Sequence, residues 1–191
     1  MRAERPFYLW VHLYDPHDPY VATDEYRRRA PTAYASQVMY ADGQVARLLA
    51  ALDALGLRRN TVIVYLSDHG ESLGEHGERT HGIFAYEATL HVPLIVYCPR
   101  LLRPRAVENR VQHVVLLPTV LEAPALPVPQ DQPGRSLLPL AAGAPVREQA
   151  AYFEALSGQT TRGWAPLFGL VRGGWKFIDL PLPELYVLAR D

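Results

Sequence analysis

The chain has 191 residues, 49% of them hydrophobic and 20% charged, with a formal net charge of −1. That is enough apolar chain to bury a core as one domain, or one domain with an appendage, and it lacks the large basic excess of a dedicated nucleic-acid binder. One cysteine, Cys98, excludes an intrachain disulfide, and no apolar run approaches the ~18 residues of a membrane span.

Residues 1–6 show no apolar h-region of a signal peptide. The chain enters an apolar, aromatic and β-branched run (FYLWVHL, residues 7–13) at once, the pattern of a domain entered partway. That run reads as a buried strand, with His12 as a hydrogen-bonded core residue. It ends in DPHDPY at 15–20, where two prolines exclude helix and fix a stiff turn. Across residues 35–55, Val38, Ala41, Val45, Leu48, Leu49, Leu52 and Leu55 recur at three- and four-residue steps, predicting a helix that Gly56 ends. A second strand follows at 61–66 (TVIVYL), and strand, helix, strand at this spacing predicts a parallel βαβ unit.

The run SDHGESLGEHGERTHG at 67–82 then packs Asp, Glu, His and Gly into one polar loop delivered from a strand end. Imidazoles and carboxylates supply metal ligands or proton carriers, and glycines leave room for a ligand. Asp68, His69 and His81 are the candidates for chemistry, while Glu75 and His76 read as braces of the loop. A short helix is expected at 86–89, a third strand at 91–97 with Pro93 near its start, and a brief helix at 116–121. Residues 124–146 are rich in Pro, Ala and Gly and read as a linker or wrapping loop. From residue 151, the alternating runs 168–172 and 175–178 flank Gly173-Gly174, a hairpin signal. The expected organisation is therefore an α/β segment over 1–123, a linker or wrapping loop over 124–150, and a small antiparallel subdomain over 151–191. Ligands of open α/β sheets collect at the carboxyl ends of strands, which would bring His17 and the Asp68-His69 pair to one crevice.

These pieces, taken in order, resemble the sulfatases of the alkaline-phosphatase-like superfamily along nearly the whole chain. The resemblance is carried by PFYLWVH at 6–12 and DPHDPY at 15–20, SDHGESLGEHG at 67–77 and THG at 80–82. It continues through YEA at 86–88, VPLI at 92–95, LLPT at 116–119, GRSL at 134–137, GWAPL at 163–167, WKFI at 175–178 and PELY at 183–186. It implies a mixed, mostly parallel sheet flanked by helices, with a small C-terminal antiparallel appendage. It implies hydrolysis of a sulfate ester, on a small molecule or a glycan, around one divalent cation: calcium foremost, with manganese or zinc as alternatives. Asp68 and His69 match a pair of metal ligands, His17 the histidine that touches the sulfate oxygens, and His81 a position contacting sulfate or the ester oxygen. Sulfate-ester cleavage needs positive charge on the non-bridging oxygens and a proton for the leaving oxygen, which these residue types supply.

Two features of the family are not in this sequence. One is the Cys/Ser-x-Pro/Ala-x-Arg motif that yields the formylglycine nucleophile, and the other is the Asp-Asp pair that supplies the first metal ligands. Both are expected upstream, so this chain alone is expected to be inactive. Cys98 before Pro99-Arg100 lacks that motif's spacing and reads as a small buried residue. Val115 and Val187 stand where the family commonly has aspartate. The alternatives are phosphoryl chemistry on the same fold (a phosphonate or phosphodiester hydrolase, or a phosphoethanolamine transferase) and a non-catalytic fragment. Family members are often exported, and nothing in the sequence decides location.

Overall fold

The computed structural model describes residues 5–190, and the chain divides into two compact units, Met1–Arg58 and Arg59–Asp191.

The first unit is built on α1 (Asp24–Arg27) and α2 (Ala33–Ala54). Thr32 opens α2, its hydroxyl accepting from the Ala35 N–H at 3.1 Å. At the other end Gly56 N–H donates to the Asp53 carbonyl and Leu57 N–H to the Leu52 carbonyl, each at 2.9 Å, the paired bonds of a Schellman stop. The helix thus starts two residues before the expected start at residue 35, because the cap and not the apolar stripe sets the first turn. Edge-to-face contacts of Tyr26 with Tyr40 and of Tyr20 with Tyr34, ring centroids 5.5 Å apart, hold the preceding chain to the helix.

Residues 7–13 depart from expectation. They pair with no other described strand, and the side chains of residues 7–12 lie open, Trp10 by 75%, while Leu13 is half-buried. Their composition favours extended backbone, but a strand exists only when a neighbour takes its N–H and C=O groups. His12 is exposed with them and is not a core residue.

The second unit carries the sheets. β1 (Ile63–Leu66) pairs antiparallel with β2 (Leu94–Tyr97), Leu66 opposite Leu94. The parallel βαβ unit expected from spacing is not formed among the described residues, where every ladder is antiparallel. Between β1 and β2 lie the polar loop and the short helix α3 (Glu87–Leu90). Helix α4 (Leu116–Glu122) follows a 3-10 turn, with Val115 at its N-cap. Val115 makes no side-chain cap bond and is instead buried with Leu137 and Leu140, against Leu94. Where the resemblance led to the expectation of an aspartate, the chain thus has a core contact. Leu140 belongs to α5 (Leu138–Ala141), which breaks the Pro-rich stretch and anchors it.

The C-terminal sheet has the order β3 (Ala151–Ala155), β4 (Leu167–Arg172), β5 (Trp175–Asp179), β6 (Glu184–Val187), with α6 (Ser157–Arg162) between β3 and β4. The expected hairpin is present: Arg172 pairs with Trp175 across Gly173-Gly174, both at positive φ, where glycine carries no Cβ penalty. Alternating residues of β4 and β5 bury Leu167, Val171, Lys176 and Ile178. Leu167 and Ile178 close on Ala85, with Tyr86 and Leu90 packed against them, so the sheet shares its core with the segment that leads into α3. No helix among the described residues is long and apolar enough to cross a membrane.

Candidate active site

The polar loop leaves β1 at Leu66 and is held at both ends. Ser67 donates its hydroxyl to the His69 carbonyl at 2.6 Å, and the His113 ring Nε2 sits 2.9 Å from the Ser67 carbonyl. Gly70 N–H donates to the Thr89 carbonyl at 2.8 Å. At Gly70 the backbone passes so close to α3 that a Cβ would lie 2.1 Å from the Ala88 carbonyl oxygen, so only glycine fits. Ser72 closes the loop upon itself, its N–H donating to the Thr80 carbonyl and its hydroxyl to the Glu78 carbonyl, both at 2.8 Å.

Two acidic groups point inside: Glu78 is buried, and the side chain of the half-buried Glu71 is 5% exposed. Glu78 accepts from the Ile83 and Phe84 N–H groups with both carboxylate oxygens, which fixes the chain leaving the loop. Glu71 places Oε1 3.1 Å from His81 Nδ1, while its Oε2 is buried with no hydrogen-bond partner. Glu75, on the surface, accepts from Leu73 N–H at 2.6 Å, a bond that holds its carboxyl below the usual carboxylate range. His76 stacks on Tyr86 with centroids 3.8 Å apart.

Asp68 and His69 are adjacent in space as in sequence. Asp68 Oδ1 accepts from the His69 N–H at 3.1 Å and lies 3.9 Å from His69 Nε2. His69 Nδ1 is 2.8 Å from the Gly70 carbonyl, so it carries the proton and Nε2 keeps the lone pair a metal needs. The 3.9 Å separation is shorter than the sum of two metal–ligand bonds of about 2.0–2.4 Å each, so both donors fit one divalent cation. They are two donors and not a full shell, since no cluster of three or more potential ligands occurs among the described residues. His81 stacks on His69, centroids 3.9 Å apart and planes 29° off parallel. Asp68, His69 and His81 are thus brought together.

His17 belongs to the first unit. There its Nδ1 lies 2.6 Å from the Asp18 carbonyl and its ring stacks on Tyr14 at 4.5 Å, in a turn whose two Asp-Pro bonds are both cis. Cys98 is buried, its thiol unpaired by any disulfide. Glu71, Glu78 and His113 are the contributors that sequence reading passed over. Their partners lie 10, 5 and 46 residues away, separations with no periodic signature, and the one signal that could have found Glu71 is its place two residues after His69.

The sulfatase family profile matches residues 1–124, and the profile of the N-sulphoglucosamine sulphohydrolase C-terminal region matches residues 74–188. The chain is 35% identical over 161 residues to steryl-sulfatase of Mus musculus, covering 76% of this chain and 26% of that protein. It is 36% identical over 107 residues to arylsulfatase K of Homo sapiens, covering 56% and 20% respectively. A protein solved in complex with its substrate D-glucosamine-2-N,6-O-disulfate superposes with a TM-score of 0.75 at 28% identity, over 87% of this chain and 38% of that one. The phosphonate monoester hydrolase of Silicibacter pomeroyi superposes with a TM-score of 0.70 at 25% identity, over 81% and 34%. The chain therefore spans well under half the length of these relatives. In fold it is an alkaline-phosphatase-like α/β protein, and the chain belongs to the sulfatase family.

Proposed function

We propose that the protein hydrolyses sulfate esters, with Asp68 and His69 holding part of a divalent cation site and His17 and His81 contacting the sulfuryl group. The observation that carries this reading is the juxtaposition of Asp68 Oδ1, His69 Nε2 and the stacked His81 ring on one loop held at the end of β1. Sulfatases work with a divalent metal and a formylglycine nucleophile, and the metal supplies positive charge to the substrate oxygens and the nucleophile. Calcium is our choice of cation, since the family's other ligands are carboxylates and hard cations prefer oxygen. The protein's own residues do the rest. Asp68 and His69 hold the charge in place, and His17 and His81 stabilise the oxygens that gain charge as the S–O bond breaks.

The substrate class we assign is a sulfated small molecule or glycan. The relative solved with a disulfated glucosamine supports the glycan side of that choice. The second reading, phosphoryl chemistry, is favoured by the likeness to the phosphonate monoester hydrolase. An assay of the intact gene product on an aryl sulfate and an aryl phosphonate monoester separates the two. We expect sulfate turnover to dominate, and Asp68→Ala to abolish it together with metal retention measured by elemental analysis. Full activity in Asp68→Ala overturns the reading, and preferential phosphonate cleavage replaces it with the second.

A further inference from the structure

The two buried carboxylates of the loop are used differently. Glu78 spends both oxygens on backbone N–H groups, which is what a carboxylate does when it serves only to fix a chain. The Glu71 side chain is also largely buried, yet it meets the Nδ1 of His81 with one oxygen, and its other oxygen has no partner. Burying an incompletely satisfied carboxylate costs stability, and an apolar side chain would fill the same space more favourably. A purely structural role therefore leaves Glu71 unexplained. Its one strong partner is an imidazole whose plane is already set by stacking on His69. Stacking alone allows the ring to flip by a half turn, putting Cδ2 where Nδ1 stood and Cε1 where Nε2 stood, and it leaves the tautomer open. A carboxylate at Nδ1 removes that freedom, because an ionised carboxylate only accepts hydrogen bonds and so requires the proton on Nδ1.

We propose that Glu71 is a positioning residue that locks His81 in the Nδ1–H form, making Nε2 the ring nitrogen that acts on the bound ester. This rests on the role given to His81 above and adds a residue to that reading. His69 obtains the same form from a backbone carbonyl at 2.8 Å, so both stacked rings would carry the same tautomer, set by two independent acceptors.

The test is long-range 1H–15N correlation spectroscopy on protein labelled at histidine, with His81 assigned by its loss in His81→Asn. At alkaline pH, with the rings neutral, wild type is expected to show His81 protonated at Nδ1 and bare at Nε2. Glu71→Ala is expected to revert to the Nε2–H form that free histidine favours, with the amide spectrum of the C-terminal sheet unchanged. Glu71→Gln, whose amide oxygen also accepts, is expected to keep the wild-type form. An Nε2–H form in wild type, or an unchanged form in Glu71→Ala, overturns the proposal. Should Glu71→Ala not fold, the wild-type spectrum alone decides it. In turnover, Glu71→Ala should lower kcat about 10–100-fold, the usual scale for the loss of an orienting partner, with KM unchanged and partial rescue by Glu71→Gln. Absence of any sulfatase activity would refute the function but leave the spectrum as it is, so the two failures are distinguishable.

Discussion

Three imidazoles named from the sequence have their Nδ1 engaged by an oxygen: His17 by the Asp18 carbonyl, His69 by the Gly70 carbonyl and His81 by Glu71. Short-range acceptors are the cheapest way to fix a ring, and two of the three come from the next residue in the chain. A different polar cluster ties the loop's neighbour to the C-terminal sheet. Tyr186 and Tyr86 both donate to Glu184 Oε2, at 2.7 and 3.1 Å, and the buried Lys176 ammonium lies 5.6 Å from both ring centroids. The bond to the Glu184 carboxylate, together with burial, raises the Tyr186 hydroxyl above the ordinary tyrosine range. A raised acid favours its protonated form on folding. The stability it contributes is therefore complete below pH ~10 and declines as pH climbs beyond that. Urea unfolding should show Tyr186→Phe less stable than wild type by about 1.5 kcal/mol at neutral pH, and the gap should narrow above pH ~10. A gap that widens with alkali would contradict this.

At the scale of elements, helix ends and one close approach govern where side chains go. Thr32 caps α2, and Thr32→Ala should cost about 1 kcal/mol in chemical denaturation, with Thr32→Ser close to wild type. Gly70 matters more, because its Cα faces the Ala88 carbonyl at a distance no Cβ tolerates. Gly70→Ala should cost about 3 kcal/mol and push the loop away from α3, carrying Asp68 and His69 with it. Metal retention should therefore fall in this variant although no ligand is changed. Retention at the wild-type level would show that the ligands do not depend on α3. The Gly56 stop and the hairpin glycines were read from the sequence, and the Thr32 cap was not. The approach at Gly70 could not, because its other half lies some 18 residues on.

At the scale of the whole molecule, the described residues place two of the proposed cation donors, Asp68 and His69, side by side, and no group of three or more possible ligands. Two donors imply dissociation constants of millimolar order, by comparison with the weak end of calcium sites. At about 1 mM calcium such a site stabilises by about 0.4 kcal/mol, a rise in Tm of about 1–2 °C for a chain of this length. Differential scanning calorimetry of this chain with and without calcium checks this, and a rise above about 5 °C would require further donors. The exposed apolar run at 7–13 belongs to the same scale. Its amino acids favour extended backbone, but whether it becomes a strand depends on a neighbour supplied by the fold.

By itself the sequence determined what local chemistry determines. Periodicity and capping placed α2, β-branched runs placed β1 and β2, Gly173-Gly174 placed a hairpin, and the ordered motifs named the family. Asp68 and His69 were legible because two adjacent residues at a strand end are neighbours in any fold. Tertiary structure alone decided what depends on distant partners. It set β1 antiparallel to β2, left His12 exposed, buried Val115 in the core, and stacked His81 on His69 with Glu71 behind it. Pairing direction, burial and ring orientation are properties of contacts between segments far apart in the chain, and no pattern within one segment encodes the other half of such a contact.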